Sequence, residues 1–545
     1  GTLRVERTRA DETASAARAG EHAGSREVEL ELFTHRFETI AREMGRALER
    51  SAVSTNVKER LDFSCAVLDA DGRLVVNAPH VPVHLGSLGL CVRRVAEHLP
   101  LAPGDVVVTN HPAFGGSHLP DVTVITPVFA GGDTAERERI GFVAARAHHA
   151  EIGGTRPGSM PPRARRLSEE GVVIPPFHLY HAGTPDWDRF RRLLVTAQHP
   201  SRAIDDNLAD ARAAVASCRR GAAALEELAR REGVGTVRRF MALLEQRAAE
   251  RLGDALTRLD DGERTCRHEL DDGTPLAVRV AIRGGSARID FTGTGGVHAG
   301  NLNATPAIVR SAVLYVMRLL IAEPLPLNEG MLEAVSIEIP HGLLDPGFPE
   351  DPRLAPAVVG GNVETSQRLV NALCEALSLC AASQGTMNNV LFGDERSSYY
   401  ETVCGGCGAG PDFDGASAVH SHMTNTRITD PEILETRFPV RLERFCVRRG
   451  SGGAGRHRGG DGVVRELVFL APLELSVLTQ HRTHGPRGLA GGEPGRPGRQ
   501  RIVRAGGEEE LLASIDEARV GPGDRLILET PGGGGYGRPE GSSGP

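Results

Sequence analysis

Apolar residues at Leu32, Phe33, Phe37, Ile40, Met44 and Leu48 recur at helical spacing, which predicts an amphipathic helix over residues 28–52. Ser25, ahead of Glu27 and Glu29, reads as its N-cap. The pattern then shifts to short apolar runs. Residues 64–76 predict a hairpin turning at Asp71-Gly72, and Val106-Val107-Val108 predicts a further strand. Residues 122–129 are rich in β-branched side chains, and 140–145 form a second apolar run behind the turn signal Gly131-Gly132-Asp133. Two paired or neighbouring strands are expected there.

Residues 157–176, rich in Pro, Gly and Arg, predict a loop. Residues 203–259 are rich in Ala, Leu, Glu and Arg around the break Gly233-Val234-Gly235, and predict two long helices. Strands follow at 276–282 and 287–292, then an apolar helix over 307–321 and another over roughly 364–383. After Gly450 the chain is Gly-rich, with short β runs at 467–470, 475–478 and 525–528. This order predicts an α+β fold: a large, mixed, multi-lobed subunit with a β-rich metal-bearing N-terminal part, central long helices and a Gly-rich β C-terminal part. The expected units are a flexible leader or linker at 1–26, a metal-bearing α/β region at 27–200, a helical segment at 201–260, a mixed α/β region at 261–445 and a Gly-rich β region at 446–545.

Composition narrows the function classes. A chain of 545 residues with 40% hydrophobic and 25% charged residues is an ordinary globular composition, enough for roughly two to four folding units. A net charge of −8 argues against a nucleic-acid partner, and the Arg-rich stretch 496–504 reads as a solvated surface. No apolar run approaches about 18 residues, and the first 25 are polar, so neither a membrane span nor a signal peptide is expected and the cytoplasm is the expected location. Nine cysteines, with only Cys404-Gly405-Gly406-Cys407 closely spaced, suit a reducing compartment, and the glycines favour a structural loop over a redox centre. Lys58 is the single lysine and no glycine-rich phosphate loop precedes it, which excludes a Walker-type nucleotide site. If ATP is used, another polypeptide or domain binds it.

The sharpest chemistry lies at the ends of the two expected strands. His118-Leu119-Pro120-Asp121 precedes the first and His148-His149 follows the second, so one chain reversal brings His118, Asp121 and His148 to the same end. Two imidazoles and a carboxylate suit Mn, Fe or Zn and leave positions open for water or substrate. Loop histidines satisfied by backbone groups are the competing reading; Gly115-Gly116 and Gly153-Gly154 on either side favour a site. Arg163, Arg165 and Arg166 lie in the following loop, placed to meet an anionic intermediate or simply to be solvated. Ser366, Gln367 and Arg368 would fall in the first turn of the 364–383 helix, where free N–H groups attract anions or are ordinarily capped. His420 and His422 form either a second metal pair or, more ordinarily, loop-ordering hydrogen bonds.

Gly115-Gly116-Ser117-His118-Leu119-Pro120-Asp121-Val122-Thr123, Ala147-His148-His149-Ala150-Glu151-Ile152-Gly153-Gly154 and Gly361-Asn362-Val363-Glu364-Thr365-Ser366-Gln367-Arg368 resemble the hydantoinase B/5-oxoprolinase family. So do Gln384-Gly385-Thr386-Met387-Asn388-Asn389, the segment 420–430 and the glycine run 532–537; the likeness spans about residues 27–537. The resemblance implies an ATP-dependent ring-opening amidohydrolase, or a relative of the acetone carboxylase α subunit. It implies His118, Asp121 and His148 as ligands of a divalent metal, with His149 and Glu151 as acid/base or supporting groups; Arg163, Arg166, Ser366, Gln367, Arg368 and His422 are expected as substrate contacts from their own places in the chain. A companion hydantoinase A-type, actin-like ATPase would handle ATP and phosphorylate the cyclic amide in a hetero-oligomer. The chain departs from the family at Asn110-His111-Pro112, where Asn-Asp-Pro is usual, and at Glu151, where Asp is usual. The competing functions are an acetone-carboxylase-like ligase and a non-catalytic assembly subunit with a decayed metal motif.

Overall fold

The computed structural model describes the backbone of residues 3–77, 81–131 and 137–539, with side chains from Arg26 onward among them. The site-bearing lobe is built on a seven-stranded sheet. Its strands are β1 (Phe63–Asp69), β2 (Leu74–Asn77), β3 (Val106–Thr109), β4 (Asp121–Ala130), β5 (Glu138–His148), β6 (Phe177–His181) and β7 (Thr184–Pro185), in the order β2-β1-β5-β4-β3-β6-β7. Every neighbouring pair is antiparallel. The central strands read as nearly continuous apolar runs because both faces are covered. Val124 and Val143 join the core formed with helices Leu3–Ser51 and Ile204–Glu232, whereas Ile125, Phe142 and Ala144 point the other way, onto helix Leu85–His98.

The predicted hairpin, the β4–β5 pair and the two long helices are present, the helices broken at Gly233 as Ile204–Glu232 and Val234–Thr257. The first helix runs from Leu3 to Ser51, so Ser25 lies inside it and does not cap it. The turn signal Gly132-Asp133 falls outside the described residues. A second sheet of Gly262–Glu269, Pro275–Arg283, Ser286–Asp290 and Val335–Glu338 carries helix Ser366–Ala376 on one face. That helix is shorter than the pattern predicts. It is preceded by a π-helical turn, Gly361–Thr365, and ends before Ser378, whose φ of 56° is left-handed.

The C-terminal part contains a four-stranded and a five-stranded sheet. Phe392 and Leu475 from the first share one core with Phe469 and Leu526 from the second. The whole is a mixed α+β, multi-lobed fold with several sheets. Among the described residues no helix is long and apolar enough to cross a membrane.

Candidate metal centre

Antiparallel register sets Asp121, the first residue of β4, directly opposite His148, the last of β5. Side chains alternate between faces along a strand, so His148 shares a face with Phe142 and Ala144, towards helix Leu85–His98. His118 reaches the same place through a tight turn in which Asp121 N–H donates to His118 O at 3.1 Å. Upstream, Gly115 (φ 81°) closes the short 3₁₀ turn Pro112–Phe114; a Cβ there would sit 2.7 Å from Cys91 backbone atoms, so only glycine lets the segment pass.

The three predicted ligands converge. One ligand atom from each of His118, Asp121 and His148 lies within 4.8 Å of the others, and all three residues are buried. His118 Nδ1 is 3.1 Å from Asp121 Oδ2, and His148 Nδ1 is 3.5 Å from Asp121 Oδ1. These approaches lack hydrogen-bond alignment: His118 Nδ1, Asp121 Oδ1 and His148 Nε2 are buried polar atoms without a hydrogen-bond partner. Each of the three residues thus keeps one buried polar atom unsatisfied, which is costly unless something satisfies it, as a divalent cation held by the three would. Protonation agrees with this fit. Burial alone would raise the Asp121 carboxyl, but the imidazoles of His118 and His84 outweigh it and hold it well below the usual carboxylate range. Burial also pushes His148 down towards its neutral form. An ionised carboxylate with neutral imidazole is the state that binds metal.

Sequence reasoning missed the surrounding groups. His84, ending the 3₁₀ turn Pro82–His84, places Nε2 3.1 Å from Asp121 Oδ2, while its Nδ1 is 3.1 Å from Ser64 Oγ. Ser117 Oγ donates to that same Asp121 oxygen. Asp62 Oδ2 is 3.9 Å from His148 Nδ1, and His148 N–H donates to Asp62 O at 3.0 Å. The Tyr400 ring stacks on His148 at 4.7 Å, with the Arg60 guanidinium over its other face. Asn362 Nδ2, in the π turn, approaches His118 Nε2 at 3.4 Å. A small cavity lies between Asp62, His84, Asp121, His148, Asn362 and Tyr400. The one available signal was Pro82-Val83-His84-Leu85-Gly86, a histidine at a Pro-flanked helix start.

Residues 26–539 match the hydantoinase B/oxoprolinase family. The chain belongs to that family. It is 45% identical over 536 residues to 5-oxoprolinase 1 of Arabidopsis thaliana, covering 94% of this chain and 42% of that protein. The ATP-dependent caprolactamase of Pseudomonas jessenii superposes with a TM-score of 0.84 at 27% identity, covering 94% of this chain and 92% of its own. Acetone carboxylase, at 18% identity, shares the fold, with a TM-score of 0.80 over 94% of this chain and 76% of its own. The chain thus spans well under half of the plant relative's length.

The residues named beside the ligand triad do not gather around it. His149 follows His148 and so projects to the opposite face, where Nδ1 meets Asn207 Nδ2 of the 204–232 helix at 3.0 Å. Glu151 is buried in a loop-organising role, accepting from Gly153 N (2.6 Å), Gly158 N (3.0 Å) and Arg202 Nη1 (3.1 Å). Arg163 is exposed and faces Asp516 and Glu517, and Arg166 donates to Leu354 O; the rest of 157–176 is largely buried and includes a short helix, Leu167–Glu170, where the pattern predicts a plain loop. Ser366, Gln367 and Arg368 sit one turn inside a continuous helix: Ser366 N–H already bonds Gly361 O, which removes the expected anion-binding N–H groups. Ser366 Oγ donates to Asn362 O, Gln367 to Ser421 O and Arg368 to Glu269 O. His422 Nε2 meets Asn371 Oδ1 at 2.9 Å, the loop-ordering alternative for His422, while His420 Nδ1 is buried without a hydrogen-bond partner.

The family departure at position 111 falls on a cap. His111 Nδ1 accepts from Ala113 N at 3.1 Å, the bond an Asp side chain makes at a helix start, and burial holds the ring near pKa 4 and neutral. Burial also pushes the thiols of Cys404 and Cys407 up to about 11, which disfavours their thiolates near neutral pH.

Proposed function

We propose that this chain is the metal-holding, ring-opening part of an ATP-dependent cyclic amide hydrolase of the 5-oxoprolinase type. The observation that carries this reading is the meeting of His118, Asp121 and His148 with three buried, unsatisfied donor atoms. Family membership supplies the reaction class, since the relatives include a 5-oxoprolinase and an ATP-dependent caprolactamase. With one lysine and no phosphate loop, the chain leaves nucleotide handling to a hydantoinase A-type companion, a separate subunit or a fused domain.

His118, Asp121 and His148 would hold Mn, Fe or Zn. Such an ion polarises an oxygen and lowers the pKa of bound water towards about 7. The protein's own groups do the remaining work. Ser117 and His84 fix the Asp121 carboxylate, and Tyr400 fixes the plane of the His148 ring. Asp62, on the cavity wall, is the carboxylate placed to accept a proton there, the role that His149 and Glu151 are too distant in orientation to serve. Phosphorylation of the ring amide oxygen by the companion makes the ring carbon more open to attack by water, after which the C–N bond breaks and phosphate leaves, giving a free amine and a carboxylate.

The test is reconstitution with the companion ATPase unit, ATP and 5-oxoproline, with metal content measured in parallel. His118→Ala and His148→Ala should each lose bound metal and at least about 100-fold in ring opening. Undiminished ring opening by a metal-free His118→Ala protein overturns the assignment.

A further inference from the structure

We propose a second divalent-metal site, formed by Asp105, His178 and His181 on the β3–β6 side of the seven-stranded sheet. Asp105 immediately precedes β3, His178 lies in β6 and His181 ends it. The pairing of Val107 with Ile125 sets Asp105 level with Pro127, six residues along β4 from Asp121. At the usual rise per strand residue, the two centres are separated by about 20 Å along the strand direction. They are distinct sites.

The geometry suits a small tetrahedral ion. Asp105 Oδ2 is 3.5 Å from His178 Nε2, and Asp105 Oδ1 is 3.2 Å from His181 Nδ1. One donor atom from each of the three residues lies within 4.8 Å of the others. Metal–ligand bonds of the length zinc makes place neighbouring ligands about 3.3–3.4 Å apart, so the carboxylate–imidazole gaps need little change. The set of two imidazoles and one carboxylate accepts zinc among other first-row divalent ions, and His181, 72% exposed, leaves a coordination position open to water.

The supporting contacts are those of a prepared ligand. Asp105 is fully buried and accepts from Ala102 N and Ala182 N, both at 2.8 Å, which fixes the carboxylate while its face towards the histidines stays available. The Ala182 contact docks the β6–β7 turn on this carboxylate. Among the described residues the ion-pair partners of Asp105 are His178 and His181, with no arginine among them to repel a cation. His178 Nε2 also lies 2.9 Å from Pro100 O, where a proton on that nitrogen is donated; the metal would replace this proton, as ligand binding to imidazole requires. Bound metal would clamp the β6–β7 hairpin to the start of β3.

Equilibrium dialysis of the chelator-stripped full chain against micromolar zinc, with metal counted by mass spectrometry, tests this. His181→Ala, a change at an exposed residue, should bind one equivalent fewer than the unaltered chain, and His118→Ala should independently lose one equivalent from the buried centre. The double variant should lose both. Equal zinc uptake by His181→Ala and the unaltered chain overturns the second site and leaves the buried centre standing. Loss of all zinc in His118→Ala overturns it equally.

Discussion

Oδ2 of Asp121 meets Ser117, His84 and His118, whereas Oδ1 has no hydrogen-bond partner and faces His148. His84 thus helps to hold the Asp121 carboxylate, and is a positioning residue if Asp121 binds metal as proposed. His84→Ala should weaken metal affinity and ring opening by about 10–100-fold, the usual cost of losing an outer contact to a ligand. A chelator-competition titration measures this, and unchanged affinity would contradict it. His149→Ala, by contrast, should keep its metal, because that ring faces Asn207. The meeting of His118, Asp121 and His148 was legible in the sequence because Asp121 and His148 sit at strand ends that the apolar pattern marks, with His118 just ahead of the first. His84 was not, since it lies 37 positions before Asp121 and packing between distant segments brings it there. His149 and Glu151 were placed by motif adjacency, but alternation along the strand and a local backbone-binding role send them elsewhere.

At the level of elements, the π turn Gly361–Thr365 carries Asn362 to His118. A Cβ on Gly361 would meet Asn303 O at 1.8 Å, so this turn exists only because the position is glycine. Gly361→Ala should destabilise the protein by about 1–3 kcal/mol, the range for overpacking a tight interior, and lower its metal affinity as Asn362 shifts. Denaturant unfolding with metal titration checks both; a variant indistinguishable from the parent would refute the close packing. Strand pairs and long helices could be read from periodicity, but this turn could not. Its hydrogen bonds span five residues, and the pattern around Ser366 looks like an ordinary helix start.

On the scale of the whole molecule, Glu170 joins two parts of the chain. Its Oε1 accepts from Val358 N (2.9 Å) and Val359 N (2.8 Å), while Oε2 is buried without a partner. Burial raises its pKa to about 8 despite those bonds, so the folded protein keeps a proton there that the unfolded chain releases above an ordinary value near 4.5. The associated stability is full below that ordinary value and is lost as pH rises through about 8. Glu170→Gln keeps the acceptor oxygen and cannot ionise. Its unfolding midpoint should therefore fall less than the parent's between about pH 6 and pH 9; parallel declines would show that Glu170 is not a source of the alkaline loss. The α+β organisation was readable at this scale because lobe-sized blocks differ in pattern. The links between lobes were not, since single buried side chains such as Glu170 and Arg60 make them; Arg60 Nη1 donates to Tyr400 O at 2.6 Å across 340 positions.

The pairing of Asp121 with His148 ties the centre's shape to strand alignment. Changing the number of residues that connect β4 to β5 should leave that alignment intact. Deleting one residue within β4 or β5 instead turns a ligand to the far side of the sheet, even if every histidine and aspartate is retained.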